Sequence, residues 1–205
     1  MSWWERHVVP HLVELTCRGT EVDRFRAPVC AGLHGDVLEI GFGSGLNVHH
    51  YPAPVRRVGA VEPNDLAWRM AAERIEGAAV PVERIGPDAQ RIAAGDASYD
   101  CALVTFTLCT VPDVDRALAE VRRVLRPGGT LHFAEHGLAP EPGVARWQRR
   151  LTPVQRRLAG GCHLDRPVVA TLERAGYAIA EVSEGYAPIG PRAFGYVSHG
   201  VATAG

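Results

Sequence analysis

Three glycines, Gly41, Gly43 and Gly45, fall in the segment VLEIGFGSGLN (residues 37–47), which ends on Asn47. A carboxylate, Glu39, stands two residues before the first glycine, and a second, Glu62 followed by Pro63, stands 21 residues after it. Glycine allows a tight turn and a close approach of backbone to ligand. Such a loop is weak evidence alone and gains weight when it follows a strand. An acid about 20 residues beyond such a loop can accept hydrogen bonds from both ribose hydroxyls, which points to an adenosine ligand. Taken singly, Glu39 reads equally as a solvated strand-end charge and Glu62 as an acid at a helix N-terminus.

The charge of the loop discriminates among adenosine ligands. The dinucleotide fingerprint is GxGxxG, whereas the spacing here is GxGxG. A buried Glu39 beside a pyrophosphate would be repulsive, and desolvation would worsen it. The same carboxylate suits a cation. S-adenosyl-L-methionine carries a sulfonium and an ammonium group and no phosphate, so the loop favours it over NAD or ATP.

Further candidates follow the later strands. Asp88 and Ala89 come after the third apolar run. Asp88 there could meet the adenine amino group or cap the next helix. Thr105 to Leu108 lie just past the fourth run, at the carboxyl edge where open α/β sheets bind ligands. His136 ends the fifth run and is the candidate catalytic base; the alternative is a structural histidine at a strand end. Cys109 could line the same pocket or be an ordinary buried thiol. Cys162 and His163 are adjacent, and neighbouring residues seldom chelate one ion. With no HExxH or CxxC, no metal is expected. That pair reads instead as a turn near the pocket wall, with Arg166 capping it or binding an acidic acceptor. His49 and His50 read as a solvated helix end that, with Tyr51, could shape the donor pocket. Trp3 and Trp4 read either as a helix anchored on the sheet or as an apolar lid over the acceptor.

The elements that must position these residues alternate along the chain. Two amphipathic helices are expected before residue 33, the second over about 21–33, with Gly19 breaking them. Val37–Ile40 reads as a strand, followed by the glycine turn and the opening of a helix. Val58–Val61 is the next strand, and Asn64 caps a helix from Asp65 to about Glu76. Val80–Ile85 and the almost wholly apolar Tyr99–Phe106 are further strands, the latter buried on both faces. Asp113 starts a helix that Pro127-Gly128-Gly129 stops, and Thr130–Glu135 is the fifth strand. Strand–helix alternation argues for a parallel α/β sheet with right-handed crossovers. A helical stretch near 143–158 and a helix near 166–175 precede Tyr177–Val182 and Phe194–Val201, two consecutive strands that suggest an antiparallel hairpin.

Composition bounds the function. The chain has 205 residues, 46% of them apolar and 22% charged, which fits one globular domain. Lys and Arg number 22 against 23 Asp and Glu, a formal charge of −1, which disfavours a nucleic-acid partner. No window approaches the length of a membrane span, and the start lacks a signal-peptide core. The five cysteines are odd in number and scattered, which excludes a disulfide scaffold and suits a reduced, cytoplasmic location.

VLEIGFGSG, VEPN (61–64), PDA (87–89), YDCALVTFTL (99–108) and EVRRVLRPGGTLHFAEH (120–136) resemble the class I S-adenosylmethionine-dependent methyltransferases. The group includes the ubiquinone and menaquinone methyltransferases. The resemblance implies an α/β, Rossmann-like fold with a mostly parallel sheet, a C-terminal antiparallel hairpin and helices on both faces. It also implies binding of S-adenosyl-L-methionine through Glu39, Gly41, Gly43, Gly45, Asn47, Glu62, Pro63, Asp88, Ala89 and Thr105, and release of S-adenosyl-L-homocysteine. A narrower resemblance is carried by LCTVPD (108–113), AEH (134–136), Trp147 with Leu151 and Pro153, GGCHLDR (160–166), LERAGY (172–177) and FGYVSHG (194–200). These are similar to the methyltransferase-like proteins that methylate alkyl thiols. The match implies a small-molecule acceptor, a thiol favoured, in a pocket of Trp4, Cys109, Trp147, His163 and Arg166. Those relatives carry an amino-terminal membrane anchor; this sequence has no matching segment, so a soluble enzyme is expected. Oxygen, nitrogen or carbon acceptors, a nicotinamide oxidoreductase and a non-catalytic adenosine-binding module are the alternatives. One domain is expected over 1–205: a helical cap or lid (1–33), a cofactor-binding core (34–138), then acceptor-side helices and the hairpin (139–205).

Overall fold

The computed structural model describes residues 2–188 and 190–204. Three helices open the chain, α1 (Trp3–His7), α2 (Val9–Cys17) and α3 (Thr20–Cys30), where two were expected. Pro10 explains the extra break: it sits in the first turn of α2, where a missing amide costs nothing and where α1 cannot continue through it. Gly19 separates α2 from α3, as expected.

The core follows as β1 (Gly35–Ile40), β2 (Val55–Val61), α4 (Asp65–Met70), α5 (Ala72–Glu76), β3 (Val82–Gly86), β4 (Tyr99–Thr105), α6 (Val114–Val124) and β5 (Leu125–His136). The tail is α7 (Pro142–Leu158), α8 (Val168–Arg174), β6 (Tyr177–Tyr186), α9 (Arg192–Gly195) and β7 (Tyr196–Ala204). The strands form one sheet in the order β3-β2-β1-β4-β5-β7-β6. The first five pair in parallel, and β7 pairs antiparallel with both β5 and β6. The expected hairpin is therefore present, and its second strand is the one inserted against the core.

Side-chain alternation sorts the core into two layers. Leu38, Ile40, Ala102, Val104, Leu131 and Phe133 face Leu118 and Val121 of α6 and Leu172 of α8. Val37, Val58, Cys101, Leu103 and Ala134 face Val29, Cys30 and Leu33 at the end of α3. Helices thus cover both faces.

Local differences have local causes. No α-helix follows the glycine loop; turns lead to a single 3-10 turn, Val48–His50. Pro52 and Pro54 close so soon after Gly45 that no helix has room, since a residue preceding proline avoids the helical region. The expected helix from Asp65 divides at Ala71. Asn64 caps it as expected, its Oδ1 accepting from the amides of Leu66 (2.9 Å) and Ala67 (3.1 Å). β5 starts at Leu125, earlier than expected. Leu125 pairs with Tyr99 and Thr130 with Cys101, so Arg126–Gly129 loop out between them, with Gly128 at φ +77°.

β1 and β4 are neighbours although two strands separate them in sequence. The winding reverses between them, and the carboxyl ends of strands at such a reversal are the usual ligand position in these sheets.

Candidate active site

Gly41, Gly43 and Gly45 all hold positive φ, at 71°, 59° and 78°. Only glycine adopts three such angles without strain, so the spacing is a backbone requirement. A Cβ on Gly41 would overlap Thr107, whereas one on Gly43 would meet only the Gly41 carbonyl oxygen at 3.9 Å. The loop is thus packed on the Gly41 side and forms an open cradle at Gly43.

Glu39 lies beneath this cradle with 0% exposure. Its carboxylate accepts from Asn47 Nδ2 (2.9 Å) and from the Tyr51 hydroxyl. Asn47 Nδ2 also donates to Thr105 Oγ1 (3.0 Å). Arg26 completes the network, donating from Nη1 to Asn47 Oδ1 (2.8 Å) and Thr105 Oγ1 (3.0 Å). Arg26 is only 4% exposed, stands over the Phe106 ring at 5.7 Å, and leaves its Nε without a partner among the described residues. The turn it covers is strained: Phe106 has φ +52°, rare for a bulky side chain.

Burial pushes the Glu39 carboxyl up to about 7, against the Tyr51 and Asn47 hydrogen bonds and the Arg26 charge, which favour the anion. A cation bound above it favours the anion as well. Affinity for a cationic ligand is therefore expected to rise with pH through about 7 and then level, with proton release on binding. Calorimetry in buffers of different ionisation enthalpy reads this directly. A pH-independent affinity between 6 and 8 would show that Glu39 does not sense the ligand.

Glu62 ends β2. Its Oε2 accepts from the Gly43 amide (2.6 Å) and its Oε1 from the Asn64 amide (2.7 Å). One carboxylate thus ties the cradle to the cap of α4, and each oxygen keeps a further lone pair free to accept. Burial raises its pKa against those two amide donors. Glu62→Ala is expected to weaken S-adenosylhomocysteine binding by roughly 10- to 100-fold, about 1.5–3 kcal/mol for a hydrogen bond to a charged acceptor. Unchanged binding would remove the ribose assignment. Pro63 is exposed at the mouth of the same turn. Asp88 is exposed too, and its Oδ1 takes the Gln90 amide (2.9 Å) and Gln90 Nε2 (3.1 Å), so it caps a turn beside the half-buried Ala89.

The opposite wall is built from the segment after β4. Glu135, 0% exposed at the end of β5, accepts the amides of Thr107 (2.7 Å), Leu108 (3.0 Å) and Cys109 (3.4 Å). His163 and Arg166 brace the same segment from the tail. His163 lies with Nδ1 at 3.0 Å from the Cys109 carbonyl oxygen, and Arg166 donates to the carbonyls of Leu108 and Val111. Both were expected in an acceptor pocket; their contacts are with this chain's own backbone.

His136 follows Glu135, with Nε2 2.9 Å from Cys162 Sγ and Nδ1 without a partner among the described residues. Burial opposes its protonation, but Cys162 and Glu135 outweigh burial and raise its pKa. The Cys162 thiol is pushed up by the adjacent Cys109 thiol and by burial. Cys109, half-buried His136 and Cys162 therefore share one corner. Trp4, 38% exposed, donates from Nε1 to the Leu158 carbonyl (2.9 Å), so α1 rests on the end of α7 just before that corner. Trp147 is 58% exposed and lines an outer cleft of about 580 Å³ with Leu151 and Phe194; that cleft includes no residue of the glycine loop. A larger cleft, about 820 Å³, lies against Arg146, Arg149, Pro167 and Tyr196, also without glycine-loop residues.

Arg26 and Glu135 were not singled out from the sequence. Arg26 had a signal: Val22, Arg26, Val29 and Cys30 are the buried residues of α3, so an arginine occupies a position whose neighbours are apolar. Glu135 had none, because its three partners become neighbours only when β4 and β5 pair.

A family model described as a methyltransferase domain matches residues 38–133. Human thiol S-methyltransferase TMT1A is 35% identical over 172 residues, covering 78% of this chain and 69% of that protein. The demethylmenaquinone methyltransferase of Thermobifida fusca is 32% identical over 135 residues, covering 65% of this chain and 53% of that one. A Thermotoga maritima structure, a SAM-dependent methyltransferase described as a possible histamine N-methyltransferase, superposes with a TM-score of 0.68 at 22% identity over 98% of both chains. That last likeness concerns the fold.

Proposed function

As the chain belongs to the class I S-adenosylmethionine-dependent methyltransferases, we propose that it methylates the sulfur of a small alkyl thiol. The observation that carries the acceptor is the reach of the similarity. The match to the thiol S-methyltransferases covers 78% of the chain, well beyond residues 38–133, and so includes residues outside the cofactor core.

The residues present fit the cofactor. The cradle at Gly43 has room for a ligand, and Arg26 keeps a buried Nε without a partner. Glu62 would hold the ribose, with Asp88 and Ala89 towards the adenine. Arg26 would face the carboxylate of the amino-acid end, and Glu39 would set the negative potential around its ammonium and sulfonium groups. When bound, the cofactor supplies an electrophilic methyl group on a positively charged sulfur. The chain then has three tasks: to align the acceptor in line, to exclude water and to favour the thiolate. A thiol with the ordinary cysteine pKa of about 8.5 is only a few per cent thiolate at neutral pH, yet it needs just modest help to ionise. His136 is the orienting residue in this reading, acting at the corner it shares with Cys109 and Cys162. Trp4, on α1, caps that side.

Arg26→Met is expected to weaken S-adenosylhomocysteine binding about tenfold and to leave adenosine binding unchanged, since adenosine lacks the carboxylate. An equal loss for both ligands would mean that Arg26 only supports the loop.

The acceptor is tested with methyl-labelled S-adenosylmethionine and a panel of thiols, phenols and amines. Labelled thioether from alkyl thiols supports the reading; transfer confined to phenols, amines or ring carbons overturns it. The second reading, a phenolic or quinone-like acceptor, is favoured by the likeness to the demethylmenaquinone methyltransferase. A catalytically silent binding module would take the cofactor and label nothing.

A further inference from the structure

Cys109, His136 and Cys162 come from three separate places: the turn after β4, the end of β5 and the turn after α7. One ligand atom of each lies within 4.8 Å of the others. No sequence motif joins them. The adjacent Cys162–His163 pair had argued against a metal, and the fold separates that pair: Cys162 turns to His136 while His163 turns to the Cys109 backbone.

We propose that Cys109, His136 and Cys162 bind one zinc ion and leave its fourth position open to the acceptor thiol. The second half of this statement rests on the thiol reading above; the first half does not. Tetrahedral zinc takes sulfur at about 2.3 Å and imidazole nitrogen at about 2.0–2.1 Å, which sets neighbouring ligand atoms roughly 3.3–3.8 Å apart. The cluster is already within about an ångström of that spacing. Two sulfurs and one imidazole select zinc over magnesium or calcium, which demand oxygen ligands. Three protein ligands and an open position form the catalytic pattern of zinc rather than its closed structural one.

The ligands are held in place by the scaffold. Glu135 accepts the Cys109 amide, and His163 donates its own amide to the Cys109 carbonyl (2.8 Å). The Cys162 amide donates to Ala159 (3.2 Å), and Gly161 at φ +92° lets its turn pass the Thr110 carbonyl. Leu164, with the half-buried Leu151 and Ala159, forms an apolar wall around both sulfurs. The corner also adjoins the cradle: Thr107, two residues before Cys109, donates to the Gly41 carbonyl at 3.5 Å.

The chemistry balances without an added oxidant or reductant. The acceptor thiol gives up its proton on joining the ion. A sulfur lone pair then forms the new carbon–sulfur bond as the methyl–sulfonium bond breaks, and that electron pair returns to the donor sulfur. A thioether, S-adenosylhomocysteine and one proton result. The thioether is neutral and a poorer ligand than a thiolate, so the position is freed.

The test begins with metal content. The full chain, purified from zinc-supplemented culture, is expected to hold one zinc per chain. Cys109→Ser and Cys162→Ser should each lose it while still binding S-adenosylhomocysteine, which reports an intact core. Cys17→Ser should keep it. Cobalt substitution gives the second readout: thiolate-to-cobalt absorption that shifts when an alkyl thiol is added without any cofactor. Protein that takes up no zinc, zinc retained in both serine variants, or a Cys109–Cys162 disulfide in place of metal overturns the site. Loss of zinc in Cys17→Ser, or a cobalt spectrum indifferent to thiols that are nonetheless methylated, overturns the open position alone. A spectrum that responds to thiols with no thiol ever methylated sinks the proposed function and leaves the metal site standing.

Discussion

A Gly43→Val protein is expected to fold and to bind S-adenosylhomocysteine more than about 100-fold more weakly, a loss of at least 2.7 kcal/mol or so. The contrast among the glycines carries this. A Cβ at Gly43 meets nothing nearer than the Gly41 carbonyl oxygen, 3.9 Å away, so the protein itself leaves that space to a ligand. The two γ-methyls of valine would enter it. The cost to folding is the left-handed backbone at φ +59°, about 1–2 kcal/mol for an L-residue, against a total stability of roughly 5–15 kcal/mol. Gly41→Ala behaves differently, because its methyl overlaps Thr107 and strains the turn beneath the site. Calorimetry and thermal unfolding of the two variants separate the effects. Wild-type affinity in Gly43→Val would remove the loop from the cofactor site.

The second large effect concerns Glu135. Glu135→Ala is expected to lower stability by about 3–5 kcal/mol, because the amides of Thr107, Leu108 and Cys109 lose their acceptor inside a dry corner. Each buried amide left without a partner costs about 1–3 kcal/mol, and relaxation of the turn recovers part of the sum. For a chain of this size the melting temperature should fall by roughly 10 °C. Glu135→Gln is the informative partner. Its single carbonyl oxygen can still take the two shorter bonds, from Thr107 and Leu108, while its amide group faces the Cys109 amide donor to donor. The loss should therefore be about a third as large, and confined to the Cys109 side. Equal losses in the two variants would mean that charge, rather than the count of acceptors, is what the turn requires.

The division between legible and illegible features follows sequence distance. The sheet, the glycine loop, the two acids and the Asn64 and Asp113 caps depend on interactions within a few residues or on a period of two or 3.6. Such patterns are written linearly, and the parallel core with its terminal hairpin appears where they place it. The helix expected after Gly45 was the main local error. Proline at 52 and 54 shortened the available segment, and the 3-10 turn that replaced it brings Tyr51 within reach of Glu39.

The composition and spacing of residues 37–62, on their own, determined a negatively charged glycine cradle for a cationic adenosine compound, because charge sign and glycine torsion are properties of residue type. Tertiary structure alone decided that Arg26 crosses from a helix onto Asn47 and Thr105, and that Glu135 holds three amides of another segment. It alone also gathered Cys109, His136 and Cys162. Those contacts bridge 21 to 79 positions along the chain, and they form only when β4 settles between β1 and β5.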